Sequence, residues 1–88
     1  MTYGELKTVF EENEVPLDTE LYSDSGWECD PTFVDGIYYS KEKKAAVFVQ
    51  DEPEDREVWK GNDPLKADFV RIYIRNDPVL KLYPDWAL

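Results

Sequence analysis

The chain has 88 residues, of which 42% are hydrophobic and 15% aromatic, and its formal net charge is −10 at pH 7. These values predict one folded domain spanning residues 1–88 and exclude a disordered acidic tail, which would lack so many aromatic side chains. Cys29 is the only cysteine, which excludes an internal disulfide framework and predicts a cytoplasmic location.

The first predicted element is a short N-terminal helix. Thr2 and Glu5 have the spacing of a capping box, in which each side chain binds a free backbone N–H at the start of a helix. Apolar residues follow at helical spacing. Pro16 disfavours continuation, so we expect the helix to end by Glu14 and its apolar face to pack on a sheet.

Strand-forming segments separated by turn residues make up most of the remaining chain. The clearest pair is a hairpin whose strands are joined by a short, lysine-rich turn. The predicted strands are Thr19–Asp24, Ile37–Ser40, Ala45–Gln50 and Phe69–Arg75, with Trp27–Cys29 and Val79–Tyr83 as two shorter candidates. This order predicts an α+β fold with one N-terminal helix packed on a small, mostly antiparallel sheet of four or five strands.

The last clear strand carries both apolar and basic side chains. Strict alternation divides it into one face with Val70, Ile72 and Ile74 and another with Phe69, Arg71, Tyr73 and Arg75. The two arginines are expected either to pair with acids across the sheet or to form a small basic patch. Trp59, which precedes this strand, is expected to pack against the core or its rim.

Two features on which many enzymes depend, a histidine and a glycine-rich phosphate-binding loop, are missing from the sequence. There is no histidine, which removes the commonest general base and the usual partner of a nucleophilic cysteine. Cys29 lies between Glu28 and Asp30, whose charges disfavour its thiolate. The four glycines are scattered, so no phosphate-binding loop is formed. We therefore expect no enzymatic activity, no metal site and no cofactor.

Acidic residues are concentrated at the start of the chain. The first 36 residues contain ten carboxylates and one cation, Lys7. Between residues 18 and 35 these acids are interspersed with aromatic and turn residues, a combination typical of a charged binding surface with aromatic anchors. The predicted partner-binding residues are Asp18, Glu20, Tyr22, Asp24, Trp27, Glu28, Asp30 and Asp35.

Three interpretations of this acidic and aromatic stretch are open. In the first, the carboxylates complement a basic protein groove, as nucleic-acid phosphates would, while Tyr22 and Trp27 supply contact area. In the second, the aromatic rings bind a nucleotide or a sugar by stacking. In the third, the aromatic residues belong to the core, and the acids only keep an accessory domain soluble.

Parts of the first 50 residues resemble short bacterial and phage proteins that have no known activity. The resemblance is carried by Thr2-x-x-Glu5-Leu6, by the acidic stretch Asp18–Asp30 with its Ser25-Gly26-Trp27-Glu28-Cys29 segment, and by Asp35-Gly36-Ile37-Tyr38-Tyr39. It transfers no site residue. It implies that this chain is one of the small accessory or phage-borne proteins, many of which are acidic inhibitors of host defence.

Together these patterns predict a small acidic interaction protein that is not an enzyme. The expected partner is a basic protein surface, with nucleic-acid-binding host or defence proteins as the leading class, and inhibition would occur by occlusion. The net negative charge argues against direct binding of nucleic acid or of a membrane. The alternatives are a small-ligand domain or an accessory domain without its own site, and the oligomeric state is left open.

Overall fold

The computed structural model describes residues 1–24, 33–50 and 59–75. It contains one N-terminal helix and a four-stranded sheet within these ranges, which confirms the predicted α+β fold. The elements are α1 (Tyr3–Glu12), β1 (Glu20–Asp24), β2 (Gly36–Ser40), β3 (Ala45–Val49), a 3-10 helix (Pro64–Lys66) and β4 (Val70–Ile74). The two shorter strand candidates, Trp27–Cys29 and Val79–Tyr83, lie outside the described residues.

The sheet has the strand order β1-β3-β2-β4. β2 runs antiparallel to both β3 and β4, whereas β1 runs parallel to β3. The described sheet is therefore mostly antiparallel, as the sequence predicted. The predicted hairpin is confirmed as β2 and β3, and these central strands are almost completely buried. Burial on both faces explains why both strands consist mainly of apolar and aromatic residues.

β4 departs from the strict alternation that the sequence predicts. Tyr73 lies opposite Ile37 and Arg71 lies opposite Tyr38, so Ile72 is an extra residue that shifts the register. Because Ile37 and Tyr38 point to opposite faces, Tyr73 and Arg71 do so as well. The prediction that they share a face was wrong.

A cluster of buried apolar residues lies on the face of the sheet that carries Tyr38. Its buried members are Tyr38, Ala45, Val47, Val49 and Phe69, with Trp59 packed against them. The ring centroids of Trp59 and Tyr38 are 4.8 Å apart, and those of Trp59 and Phe69 are 5.3 Å apart in an edge-to-face arrangement. Trp59 therefore covers this core, in agreement with the sequence expectation.

The Trp59 ring is itself held by a lysine. The Lys66 ammonium lies 4.3 Å from the ring centroid and donates a hydrogen bond of 3.0 Å to the Trp59 carbonyl oxygen. The cation therefore contacts both the side chain and the backbone of the same residue.

The helix α1 lies on the other face of the sheet, where the Phe10 and Phe48 ring centroids are 6.3 Å apart. As predicted, Thr2 is the N-cap and accepts a hydrogen bond from the Glu5 N–H. At the other end the Glu14 N–H donates to the Glu11 carbonyl and the Val15 N–H donates to the Phe10 carbonyl. This pair of bonds is a Schellman motif, which terminates the helix.

A buried hydroxyl connects the β2–β3 turn to the start of β4. Ser40 is fully buried, and its Oγ donates a hydrogen bond of 2.7 Å to Asp68. The same oxygen accepts a bond of 3.1 Å from the Lys43 N–H, and the Lys43 ammonium pairs with Asp68. Since a buried hydroxyl needs hydrogen-bond partners, this cluster fixes the turn against the residues that immediately precede β4.

The contribution of Trp59 can be measured by truncation. We expect Trp59→Ala to lower the free energy of unfolding by about 2–3 kcal/mol, because the core loses a large, half-buried ring. Urea unfolding followed by circular dichroism would measure it. Leu65→Ala is a suitable control, since Leu65 is 73% exposed, and it should change stability by less than about 0.5 kcal/mol. Equal effects of the two substitutions would contradict this assignment.

The Schellman motif places Glu14 at φ 54, in the left-handed region that favours glycine. We expect Glu14→Gly to raise the free energy of unfolding by about 1 kcal/mol, since it relieves the steric cost of a Cβ in this conformation. Glu14→Ala removes the same charge from the helix C-terminus but keeps the Cβ. If the alanine variant gains as much stability in urea titration, charge and not backbone conformation is responsible.

The acid stability of the fold should depend on Asp68. Hydrogen bonds from Lys43 and Ser40 lower its pKa from the ordinary value of 3.8. The resulting stabilisation is present above pH 3.8 and is lost as the pH falls through the lower pKa of the folded state. We therefore expect Asp68→Asn to lower the free energy of unfolding at neutral pH. In this variant the free energy of unfolding should also fall less steeply between about pH 5 and pH 2 than in the unmodified protein.

Urea midpoints measured across this pH range would test the effect. Glu42→Gln removes an exposed carboxyl from the neighbouring turn and controls for the loss of one charge. If the Asp68→Asn midpoints follow those of the unmodified protein at every pH, Asp68 does not stabilise the folded state through its ionised form.

Candidate partner-binding surface

The exposed side chains of β1 form the candidate surface, which we call the β1 edge and define as Glu20, Leu21, Tyr22 and Ser23. Within the described residues β1 pairs only with β3, so one side of it is the margin of the described sheet. Leu21 is 56% exposed and Tyr22 is 51% exposed. Large side chains at such positions contribute little to a core and are available for contact with another molecule.

Glu20 and Tyr22 form a defined pair on this edge. They are two residues apart and therefore point to the same face of the strand. The Tyr22 hydroxyl donates a hydrogen bond of 3.0 Å to the Glu20 carboxylate, which raises the pKa of Tyr22 above 10.0. A carboxylate beside an exposed ring can bind a guanidinium or ammonium group by an ion pair and by contact with the ring.

Asp18 lies in the turn before β1, where its carboxylate is 3.7 Å from the Lys44 ammonium. Both side chains are largely exposed, so the pair contributes little to stability and can exchange for another partner. Asp24, the last residue of β1, lies opposite Val49 in the sheet register. Of the predicted site residues, Glu20 and Tyr22 are therefore in contact on β1, while Asp18 lies in the preceding turn and Asp24 is the last residue of the strand.

Asp35 has a different environment from the other predicted site residues. Its side chain is buried, and the Arg75 Nε lies 2.7 Å from one carboxylate oxygen. The guanidinium also lies 4.6 Å from the Phe33 ring centroid. The Asp35 N–H donates to the Val49 carbonyl and its carbonyl accepts from the Arg75 N–H. Asp35 therefore connects strands inside the fold, and we leave it out of the candidate surface.

The Asp35–Arg75 contact agrees with one of the two sequence expectations for the arginines, pairing with an acid across the sheet. The remaining predicted site residues, Trp27, Glu28 and Asp30, lie outside the described residues.

An apolar groove lies beside the β1 edge, between α1 and β1, with a volume of about 360 Å³. Its apolar lining includes Leu6, Phe10, Val15, Leu17 and Leu21. Sequence reasoning did not identify this groove. A signal existed, because the segment between α1 and β1 carries more apolar side chains than a turn requires.

The described residues contain no cluster of three or more histidine, cysteine or acidic side chains that could hold a metal ion. No helix among them has the length and apolarity needed to cross a membrane. No protein-family model, curated protein or solved structure matches the chain. The function must therefore be inferred from the β1 edge and the adjacent groove.

Proposed function

We propose that this protein is a small acidic interaction protein without enzymatic activity, and that it binds a basic surface of another protein through the β1 edge. The observation that carries the proposal is the exposed, hydrogen-bonded pair of Glu20 and Tyr22 on an edge strand. This pair combines a carboxylate with an aromatic ring, two groups that recognise arginine and lysine side chains.

The charge of the chain supports this type of partner. A net charge of −10 on 88 residues attracts basic surfaces over a distance comparable to the Debye length and repels nucleic acid and anionic membranes. A groove that normally binds nucleic acid is basic and would be occluded by such a protein. From the resemblance of the sequence pattern to phage and accessory proteins, we further propose that the target is a host or defence protein.

The groove next to the β1 edge favours this proposal over a nucleotide or sugar site. Its lining is mainly apolar, whereas those ligands need several convergent hydrogen-bonding groups. An apolar groove beside a carboxylate instead suits a protein segment that carries both apolar and basic side chains.

The proposed function predicts binding that weakens steeply with salt. We expect immobilised protein to capture a basic protein from a bacterial lysate at low ionic strength and to release it at high ionic strength, with mass spectrometry identifying the partner. For the identified partner, Glu20→Lys should weaken binding at least about tenfold, mainly through slower association.

Glu42→Lys is the matched control, since it makes the same charge reversal on the exposed β2–β3 turn. It should change the affinity by no more than about threefold, the general effect of net charge. If Glu20→Lys and Glu42→Lys weaken binding equally, the β1 edge is not the interface. A partner whose affinity is independent of salt would contradict the electrostatic basis of the proposal.

A further inference from the structure

The backbone of β1 has hydrogen-bonding groups that point away from the sheet. The Glu20 N–H donates to the Lys44 carbonyl at 2.9 Å, so the backbone of Glu20 faces β3. Backbone groups alternate along a strand, and those of Leu21 and Ser23 consequently point to the open side. Among the described residues, none forms a hydrogen bond with these outward groups. An extended segment could therefore pair with β1 at Leu21 and Ser23.

The two faces of β1 differ in chemistry, and this difference constrains what an added strand would carry. Leu21 lines the apolar groove beside α1, whereas Glu20 and Tyr22 lie on the opposite face. A residue paired with Leu21 would direct its side chain toward the groove. Its two neighbours would point to the other face, beside the Glu20 carboxylate and the Tyr22 ring. The added strand should thus alternate apolar and basic side chains.

Charge complementarity favours a basic partner over a second copy of this chain. Residues 14–24 contain four acids, Glu14, Asp18, Glu20 and Asp24, and no basic residue. Pairing two β1 strands would place these like charges close together, and each chain would also bring its net charge of −10. Like charges across paired strands are destabilising. A basic strand would instead neutralise the carboxylates.

We propose that the β1 edge binds an extended segment of its partner as an additional β-strand, with alternate apolar side chains in the α1–β1 groove and alternate basic side chains at Glu20 and Tyr22. This inference rests on the proposed function, since it specifies how the basic partner is recognised. Backbone hydrogen bonds to Leu21 and Ser23 would supply affinity, while the groove and the carboxylates would determine which partner sequences bind.

A synthetic peptide with alternating arginine and valine residues is a direct probe. We expect it to bind more tightly, by at least about tenfold, than a peptide of the same composition in which all arginines precede all valines, because only the alternating order separates the two kinds of side chain onto two faces. N-methylation of the backbone amides that face β1 should weaken binding by a similar factor, since it removes the hydrogen bonds and leaves the charge unchanged. Fluorescence anisotropy would measure each affinity.

Ser23→Pro tests the same interaction from the protein side. Proline removes the outward N–H and is tolerated on edge strands, where that N–H faces away from the neighbouring strand. We expect it to weaken binding of the alternating peptide at least about tenfold, whereas Ser23→Ala, which keeps the N–H, should stay within about twofold. Thermal melting verifies that both variants fold. If Ser23→Pro does not fold, the affinity of the N-methylated peptide for the unmodified protein tests strand addition instead.

The outcomes separate this inference from the proposed function. If Glu20→Lys weakens peptide binding but Ser23→Pro and N-methylation do not, the surface binds basic segments and strand addition is wrong. If Glu20→Lys has no effect, the proposed function fails as well. A concentration-dependent dimer in analytical ultracentrifugation that Ser23→Pro abolishes would assign the edge to a second copy and overturn the basic partner.

Discussion

Burial of the β2–β3 hairpin on both faces is the constraint on which the described structure depends. All five residues of β2 are buried, so other residues must pack on each face of the hairpin. Phe10 of helix α1 packs on one face, and Trp59 and Phe69 pack on the other. The buried Ser40 hydroxyl requires hydrogen bonds, which Asp68 and the Lys43 N–H supply.

The sequence predicted the elements whose signals are local. The cap at Thr2 and the β2–β3 hairpin depend on neighbouring residues, and both were found where the pattern placed them. The alternation of β4 was predicted wrongly because the extra residue, Ile72, arises from how β4 pairs with β2. A bulge depends on two strands at once, so the pattern of one strand does not reveal it.

Residue types on the candidate surface could be predicted from the sequence, but their burial could not. Acid content and interspersed aromatic residues indicated Glu20 and Tyr22, since charge and residue type are properties of the sequence. The same reasoning placed Asp35 in the acidic face, but its burial beside Arg75 joins residues that are 40 positions apart. The groove between α1 and β1 also depends on tertiary packing. Composition therefore indicated which carboxylates and rings to consider, and the fold determined which of them are exposed on β1.

The parallel pairing of β1 with β3 has a consequence for how the chain assembles. β2 and β3 are joined by four residues and can pair early, whereas β1 lies beside a strand that begins 25 residues after its own first residue, Glu20 opposite Ala45. Closing the longer loop costs more entropy, so we expect β1 to add after the hairpin has formed. A strand with a single described neighbour is also the natural site of local opening. Any molecule bound to β1 would then hold it against β3, and occupancy of the edge would be linked to the folding equilibrium of the whole domain.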